Sequence, residues 1–149
     1  MKRALFPGSF DPFSLGHHDI VLRSLRLVDE VIIGIGKNSA KSRHFSLEML
    51  IPKIEESFKN YPQVKVASYE GLTANYARSI DAKFLIRGLR NTIDFEYEKS
   101  ISHGNKFLWE DLETIFLVTE PALSAISSTI IRDLHKYGKD VSSLLPYKL

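Results

Sequence analysis

The chain has 149 residues, no cysteine, and 20 Lys and Arg against 18 Asp and Glu, a formal charge of +2. That length suits a single domain over 1–149, which at this size buries about 70% of its unfolded surface without a disulfide or metal staple. The missing cysteines exclude disulfide scaffolds, cysteine zinc sites and thiol nucleophiles. The small charge gives no footprint for a nucleic-acid partner, and no apolar run approaches the about 18 residues of a membrane helix. A cytoplasmic protein without a membrane partner is expected.

In chain order, Ala4–Phe6 is a short apolar run that Pro7-Gly8 stops. Val21, Leu25 and Val28 then share one helical face. Val31–Ile35 is a near-continuous β-branched run, as expected of a strand buried on both faces. Ser46 reads as the cap of a helix whose apolar face is Leu47, Ile51, Ile54 and Phe58; Pro52 inside it predicts a kink or a restart. Val64, Val66 and Tyr69 form a weaker strand pattern, followed by Leu72, Tyr76 and Ile80 at helical spacing. Phe84–Ile86 is a fourth strand, and Ile93, Tyr97 and Ile101 mark the helix after it. Ile115–Val118 is a fifth strand. Ile130, Ile131 and Leu134 belong to a helix that Gly138 stops, and Asp140 caps a short last turn before Pro146. Strands alternating with helices predict a Rossmann-like α/β fold, a doubly wound five-stranded parallel sheet.

Such sheets bind ligands beyond the carboxyl ends of their strands. Past strand one lie Gly8-Ser9-Phe10-Asp11-Pro12 and then Ser14-Leu15-Gly16-His17. Past strand two lies the cationic stretch Lys37–His44, and past strand three Gly71-Leu72-Thr73. Arg87-Gly88-Leu89-Arg90 follows strand four, and Ser124-Ala125-Ile126-Ser127-Ser128-Thr129 follows strand five. Each piece has a plainer reading as a turn, a solvated loop or a helix cap. Together they bring cations, a histidine and hydroxyls to one sheet edge, which points to phosphate handling.

The chemistry on offer is positioning and charge stabilisation. Helix N-termini present free N–H groups to anions. His17 can donate to a phosphoryl oxygen, Arg87 and Arg90 can bind phosphate bidentately, and Lys41 adds a movable charge. No G-x-x-x-x-G-K-[ST] loop, G-x-S-x-G elbow or paired zinc spacing occurs. A magnesium ion held by substrate phosphates leaves little trace in a sequence.

On Pro7-Gly8-Ser9-Phe10-Asp11-Pro12, Ser14-Leu15-Gly16-His17, Lys41, Leu85–Arg90, Asp94-Phe95-Glu96-Tyr97-Glu98 and Ile126–Thr129, the chain resembles the bacterial phosphopantetheine adenylyltransferases. These belong to the nucleotidylyltransferase superfamily with its T/H-x-G-H motif. The resemblance implies transfer of the adenylyl group of ATP to 4′-phosphopantetheine, giving dephospho-coenzyme A and pyrophosphate, with Mg²⁺. It implies that His17 stabilises the transition state and that Lys41 assists. It places Ser9, Phe10, His17, Gly88, Leu89, Arg90, Glu98, Leu123, Ser124, Ala125, Ile126, Ser127, Ser128 and Thr129 with ATP, and Ser9, Lys41, Thr73 and Arg87 with the acceptor. It implies no protein ligand to the metal, a homohexamer and inhibition by coenzyme A.

Ser9 and Ser14 stand where threonine is usual and keep the hydroxyl, whereas Leu123 replaces a frequent tryptophan and Thr73 a larger apolar residue. Two alternatives are a transferase with another acceptor, such as nicotinamide mononucleotide or glycerol phosphate, and a nucleotide sensor without catalysis.

Overall fold

A computed structural model describes residues 1–149. Five strands, β1 (Arg3–Gly8), β2 (Glu30–Gly36), β3 (Val64–Tyr69), β4 (Phe84–Leu89) and β5 (Glu113–Val118), alternate with five helices. The helices are α1 (Leu15–Ser24), α2 (Leu47–Ser57), α3 (Thr73–Ser79), α4 (Thr92–Leu108) and α5 (Ser128–Lys136). All strand pairs are parallel, in the order β3-β2-β1-β4-β5. This is the expected Rossmann-like α/β sheet.

Alternate side chains build a core on each face. Ala4, Phe6, Val31, Ile33, Ile35 and Ile86 face Ile20 and Val21 of α1 and Leu50 and Ile54 of α2. Leu5, Ile32 and Leu85 face Ala74 and Ala77 of α3. A small third cluster ties Ile131 of α5 to Val141 and Leu145.

The order reverses between β1 and β4, and the two strands separate there. β1 pairs with β2 along six residue pairs, but with β4 only through Ala4↔Phe84 and Leu5↔Leu85. Pro7 explains the break. Its carbonyl accepts from Arg87 Nη1, so residue 7 presents its backbone polar side toward β4. In an extended strand the N–H and C=O of one residue point the same way, so the donor that proline lacks is missing on that side. The ladder stops, and a wedge opens beyond it.

Several expectations are corrected. Pro7-Gly8 and Arg87-Gly88-Leu89 continue β1 and β4 instead of following them. Helix α2 runs from Leu47 to Ser57 without a restart at Pro52. Pro52 orphans only the carbonyl of Glu48, an exposed first-turn residue that water can serve. Val28 lies beyond α1. Helix α3 buries Ala74 and Ala77, not Leu72, which is its exposed N-cap. Ile93 and Tyr97 of α4 face outward, 80% and 68% exposed, while Ile101 lies at the edge of that face. The residue α4 buries is Glu98. Gly138, at φ +74°, does end α5; Asp140 accepts the N–H of Ser142 at 2.9 Å, but the N-cap of the 3-10 turn Ser142–Leu144 is Val141, with no side-chain cap.

Candidate active site

A cavity of about 300 Å³ opens in the wedge at the carboxyl edge of the sheet. Its floor is Phe6–Phe10 from β1 and the turn after it. Helix α1 brings Ser14, Gly16, His17 and Ile20; β4 and α4 bring Arg87, Gly88, Arg90, Asp94 and Glu98. Thr119, Leu123, Ile126, Ser127, Ser128 and Thr129 close the far wall.

His17 is fixed by the start of its own helix. Ser14 caps α1, and its backbone N–H donates to His17 Nδ1 at 2.9 Å. An accepting Nδ1 puts the proton of the neutral ring on Nε2. Nε2 has no protein partner, and no buried side-chain nitrogen or oxygen in the molecule lacks one, so Nε2 is open to the cleft. Burial, reinforced by the nearby charges of Arg87 and Arg90, lowers the His17 pKa from 6.5 to about 3. The ring is therefore a neutral Nε2–H donor at physiological pH. His18 plays a different part. It stacks on Phe58 at 4.4 Å, and its Nε2 lies 3.3 Å from the carbonyl oxygen of Ser57.

Phe10 holds the other side of His17, with ring centroids 4.9 Å apart. It adopts φ +45°, a conformation that costs a bulky residue roughly 1–3 kcal/mol. Arg43 steadies this turn by donating to the carbonyls of Ser9 at 2.6 Å and Phe10 at 2.9 Å. The turn folds the Phe10 ring back over Gly8, where an added Cβ would lie only 2.7 Å from it. The ring by itself disfavours any side chain at that position.

Two helix N-termini meet the cavity, α1 at Ser14–His17 and α5 at Ser127–Thr129. Ser127 caps α5 by accepting from Ile130 N–H at 3.2 Å, and Ser128 donates to the carbonyl of Pro12 at 2.7 Å. The capping role and a place on the cavity wall thus coexist. Unpaired first-turn N–H groups and helix dipoles favour an anion here.

A second, narrower cavity of about 150 Å³ adjoins the first and shares Pro7, Gly8, Arg87 and Glu98 with it. Tyr69, Thr73, Leu85, Ile101, Ser102 and Asn105 line it. Thr73 Oγ1 lies 2.8 Å from the Tyr69 hydroxyl, and Tyr69 stacks on Tyr76 at 4.4 Å. Arg87 stands at the junction. Its Nε and Nη2 donate to the two carboxylate oxygens of Glu98 at 2.7 and 2.6 Å.

The structure thus brings Ser9, Phe10, His17, Gly88, Arg90, Glu98, Leu123 and Ile126–Thr129 to one cavity, and Thr73 and Arg87 to its neighbour or the junction. Lys41 does not line either. It sits on the loop after β2, in a polar groove with Lys37, Arg132 and Lys136 that meets the first cavity at Ser9. Leu89, Ser124 and Ala125 lie outside both cavities, and the Ser124 hydroxyl donates to the carbonyl of Pro121 at 3.0 Å. Sequence reading did not single out Ile20, Asp94 or Thr119 as site residues. Asp94 carried a usable signal, being four residues before Glu98 and four after Arg90.

A family model described as cytidylyltransferase-like matches residues 5–134. The phosphopantetheine adenylyltransferase of Cytophaga hutchinsonii is 60% identical over 148 residues, 99% of each chain. That of Bacteroides fragilis is 48% identical over 146 residues, covering 98% of this chain and 97% of its own. Among solved structures, a bifunctional NMN adenylyltransferase/ADP ribose pyrophosphatase from Francisella tularensis superposes with a TM-score of 0.74 at 16% identity. It covers 97% of this chain and 45% of that one, a likeness of fold alone. With the matching relatives near 50–60% identical over nearly their full length, the chain belongs to the phosphopantetheine adenylyltransferase family.

Proposed function

We propose that this protein transfers the adenylyl group of ATP to 4′-phosphopantetheine, releasing pyrophosphate and dephospho-coenzyme A. The observation that carries this reading is the junction of two unlike cavities at Gly8 and Arg87. The larger offers two helix N-termini, Arg90 and the Nε2–H of His17, which suit a triphosphate. The smaller, with its mixed apolar and amide lining, suits an uncharged arm that bears amides.

An acceptor phosphate oxygen attacks the α-phosphorus, and the bond from that phosphorus to the bridging oxygen of the β-phosphate breaks. Charge builds on the non-bridging α-oxygens, where His17 Nε2–H donates. Its low pKa keeps the ring neutral, so it donates a hydrogen bond and takes up no proton from the acceptor phosphate. Arg87 and Thr73 serve the acceptor, with Ser9 between the substrates. Phe10, Gly88, Arg90, Leu123 and Ile126–Thr129 serve the nucleotide. Lys41, in the groove that meets the first cavity at Ser9, would have to swing across on its loop to assist.

Mg²⁺ fits as a counter-ion carried on the triphosphate, whose charge it neutralises. No three His, Asp or Glu side chains converge, and the carboxylates of the cleft are engaged by Arg87 and Arg90. No helix is long and apolar enough to cross a membrane. The exposed Ile93 and Tyr97 support assembly with further copies, as in a homohexamer. Coenzyme A, which shares the pantetheine arm and a nucleotide end, would compete for both cavities.

The test is pyrophosphate release from ATP and Mg²⁺ with 4′-phosphopantetheine, with nicotinamide mononucleotide, and with neither. Release that needs 4′-phosphopantetheine is expected. Release with nicotinamide mononucleotide alone would refute the assigned acceptor.

A further inference from the structure

We infer that Asp94 and Glu98 of α4 are positioning residues that aim two arginines at two different substrates, Arg90 at ATP and Arg87 at the acceptor phosphate. This rests on the proposed reaction and assigns Glu98 a task other than touching the nucleotide.

The geometry is that of a rack. Asp94 and Glu98 are four residues apart on α4, so their side chains leave the same face of the helix, one turn apart. Asp94 Oδ2 accepts from the backbone N–H of Arg90 at 3.0 Å and from its Nε at 3.2 Å. Glu98 accepts from Arg87 Nε and Nη2 in the parallel, two-bond arrangement that fixes a guanidinium plane. A third bond, from Arg87 Nη1 to the Pro7 carbonyl, pins that plane across the wedge between β4 and β1.

Burial separates a structural filler from an aiming device. The Glu98 side chain is 9% exposed and that of Arg87 27%. Both Glu98 oxygens accept from Arg87, and the side chain's low exposure leaves little of the carboxylate for a nucleotide. Arg87 has five N–H bonds to offer, and three are committed within the protein. The remaining two sit on Nη1 and Nη2, the edge of the fork that the Glu98 and Pro7 contacts leave for an acceptor phosphate. Arg90, at 41% exposed, is held more loosely by Asp94 and keeps its Nη groups free for the larger cavity. The same two contacts offset part of the cost of holding cations in a partly buried cleft, because each arginine is paired before substrate arrives.

The experiment is a crossed pair of near-isosteric substitutions in the full chain, with KM for each substrate as the readout. Glu98→Gln is expected to raise KM for 4′-phosphopantetheine about tenfold with KM for ATP changed less than about twofold, since a misaimed Arg87 loses charge-assisted contacts to one substrate only. Asp94→Asn is expected to do the reverse, by a smaller factor. Glu98→Asp, which keeps the charge one carbon short, should recover part of the acceptor affinity. In an Arg87→Ala background, adding Glu98→Gln should change nothing further, because a positioning residue acts only through its partner. Thermal melts and calorimetric ATP binding check that each variant is folded.

Three results overturn the inference: Glu98→Gln raising KM for ATP instead, neither substitution moving either KM, or additive effects with Arg87→Ala. A wild-type protein that is inert with 4′-phosphopantetheine would instead overturn the proposed function.

Discussion

Replacing His17 by Asn removes a titrating ring while keeping an acceptor near the Nδ1 position, where the Ser14 N–H donates. The folded protein holds the His17 pKa at about 3, against 6.5 when unperturbed, chiefly through burial and then through Arg87 and Arg90. The sign follows from proton counting. Between those two values the unfolded chain binds a proton that the folded chain does not. Stability from this residue is thus fully present above about pH 6.5 and is lost progressively as the pH falls toward 3. At about pH 5 the loss from His17 alone is about 2 kcal/mol. All other groups titrate in both proteins and cancel in the comparison. Urea unfolding of wild type and His17→Asn at about pH 7.5 and about pH 5 should therefore show wild type losing about 2 kcal/mol more than the variant. Equal losses in the two proteins would refute a buried neutral imidazole, and with it the Nε2–H donor on which the proposed chemistry depends.

Three further outcomes are expected. His17→Ala should lower pyrophosphate release by about 10²–10³-fold while calorimetry still detects ATP binding; near-normal release would remove its role. Gly8→Ala forces the Phe10 ring away from a Cβ that would sit 2.7 Å from it, so chemical denaturation should show a loss of about 1–3 kcal/mol, with reduced turnover through the displaced His17 contact. Tyr97→Glu on the outward stripe of α4 should leave the monomer folded and lower the assembly state seen by sedimentation; an unchanged assembly would place the contact elsewhere.

The sheet was readable because β-branched and apolar runs such as Val31–Ile35 have few other uses. The ends of β1 and β4 were not. Pro7, Gly8 and Gly88 look like breakers, yet they persist in strands because the wedge asks for no ladder bond from Pro7 and because Phe10 needs the space above Gly8. Helical spacing found α4 but not its orientation: Ile93 and Tyr97 face out, and a charged residue, Glu98, faces in. Only the position of Arg87 across the gap explains that inversion. Most of the candidate site was visible as hydroxyls, glycines and cations past the strand ends. The division into two cavities was not, since it depends on where β1 and β4 part. Lys41 was grouped with His17 by pattern, while the fold gives it a neighbouring groove.

The brief pairing of β1 with β4 has a mechanical meaning. Only two residue pairs of backbone ladder join a three-stranded leaf to a two-stranded leaf, whereas β1 and β2 are joined along six pairs; the apolar cores continue across the seam. The shortest ladder of the sheet thus lies along the line where the two cavities touch. Each cavity is lined by both leaves, so a molecule with one end in each would clamp them at more points than either substrate alone. Amide exchange at Gly8 and Gly88 should slow more with dephospho-coenzyme A bound than with ATP, which makes the product, not the nucleotide, the stiffest state of the protein.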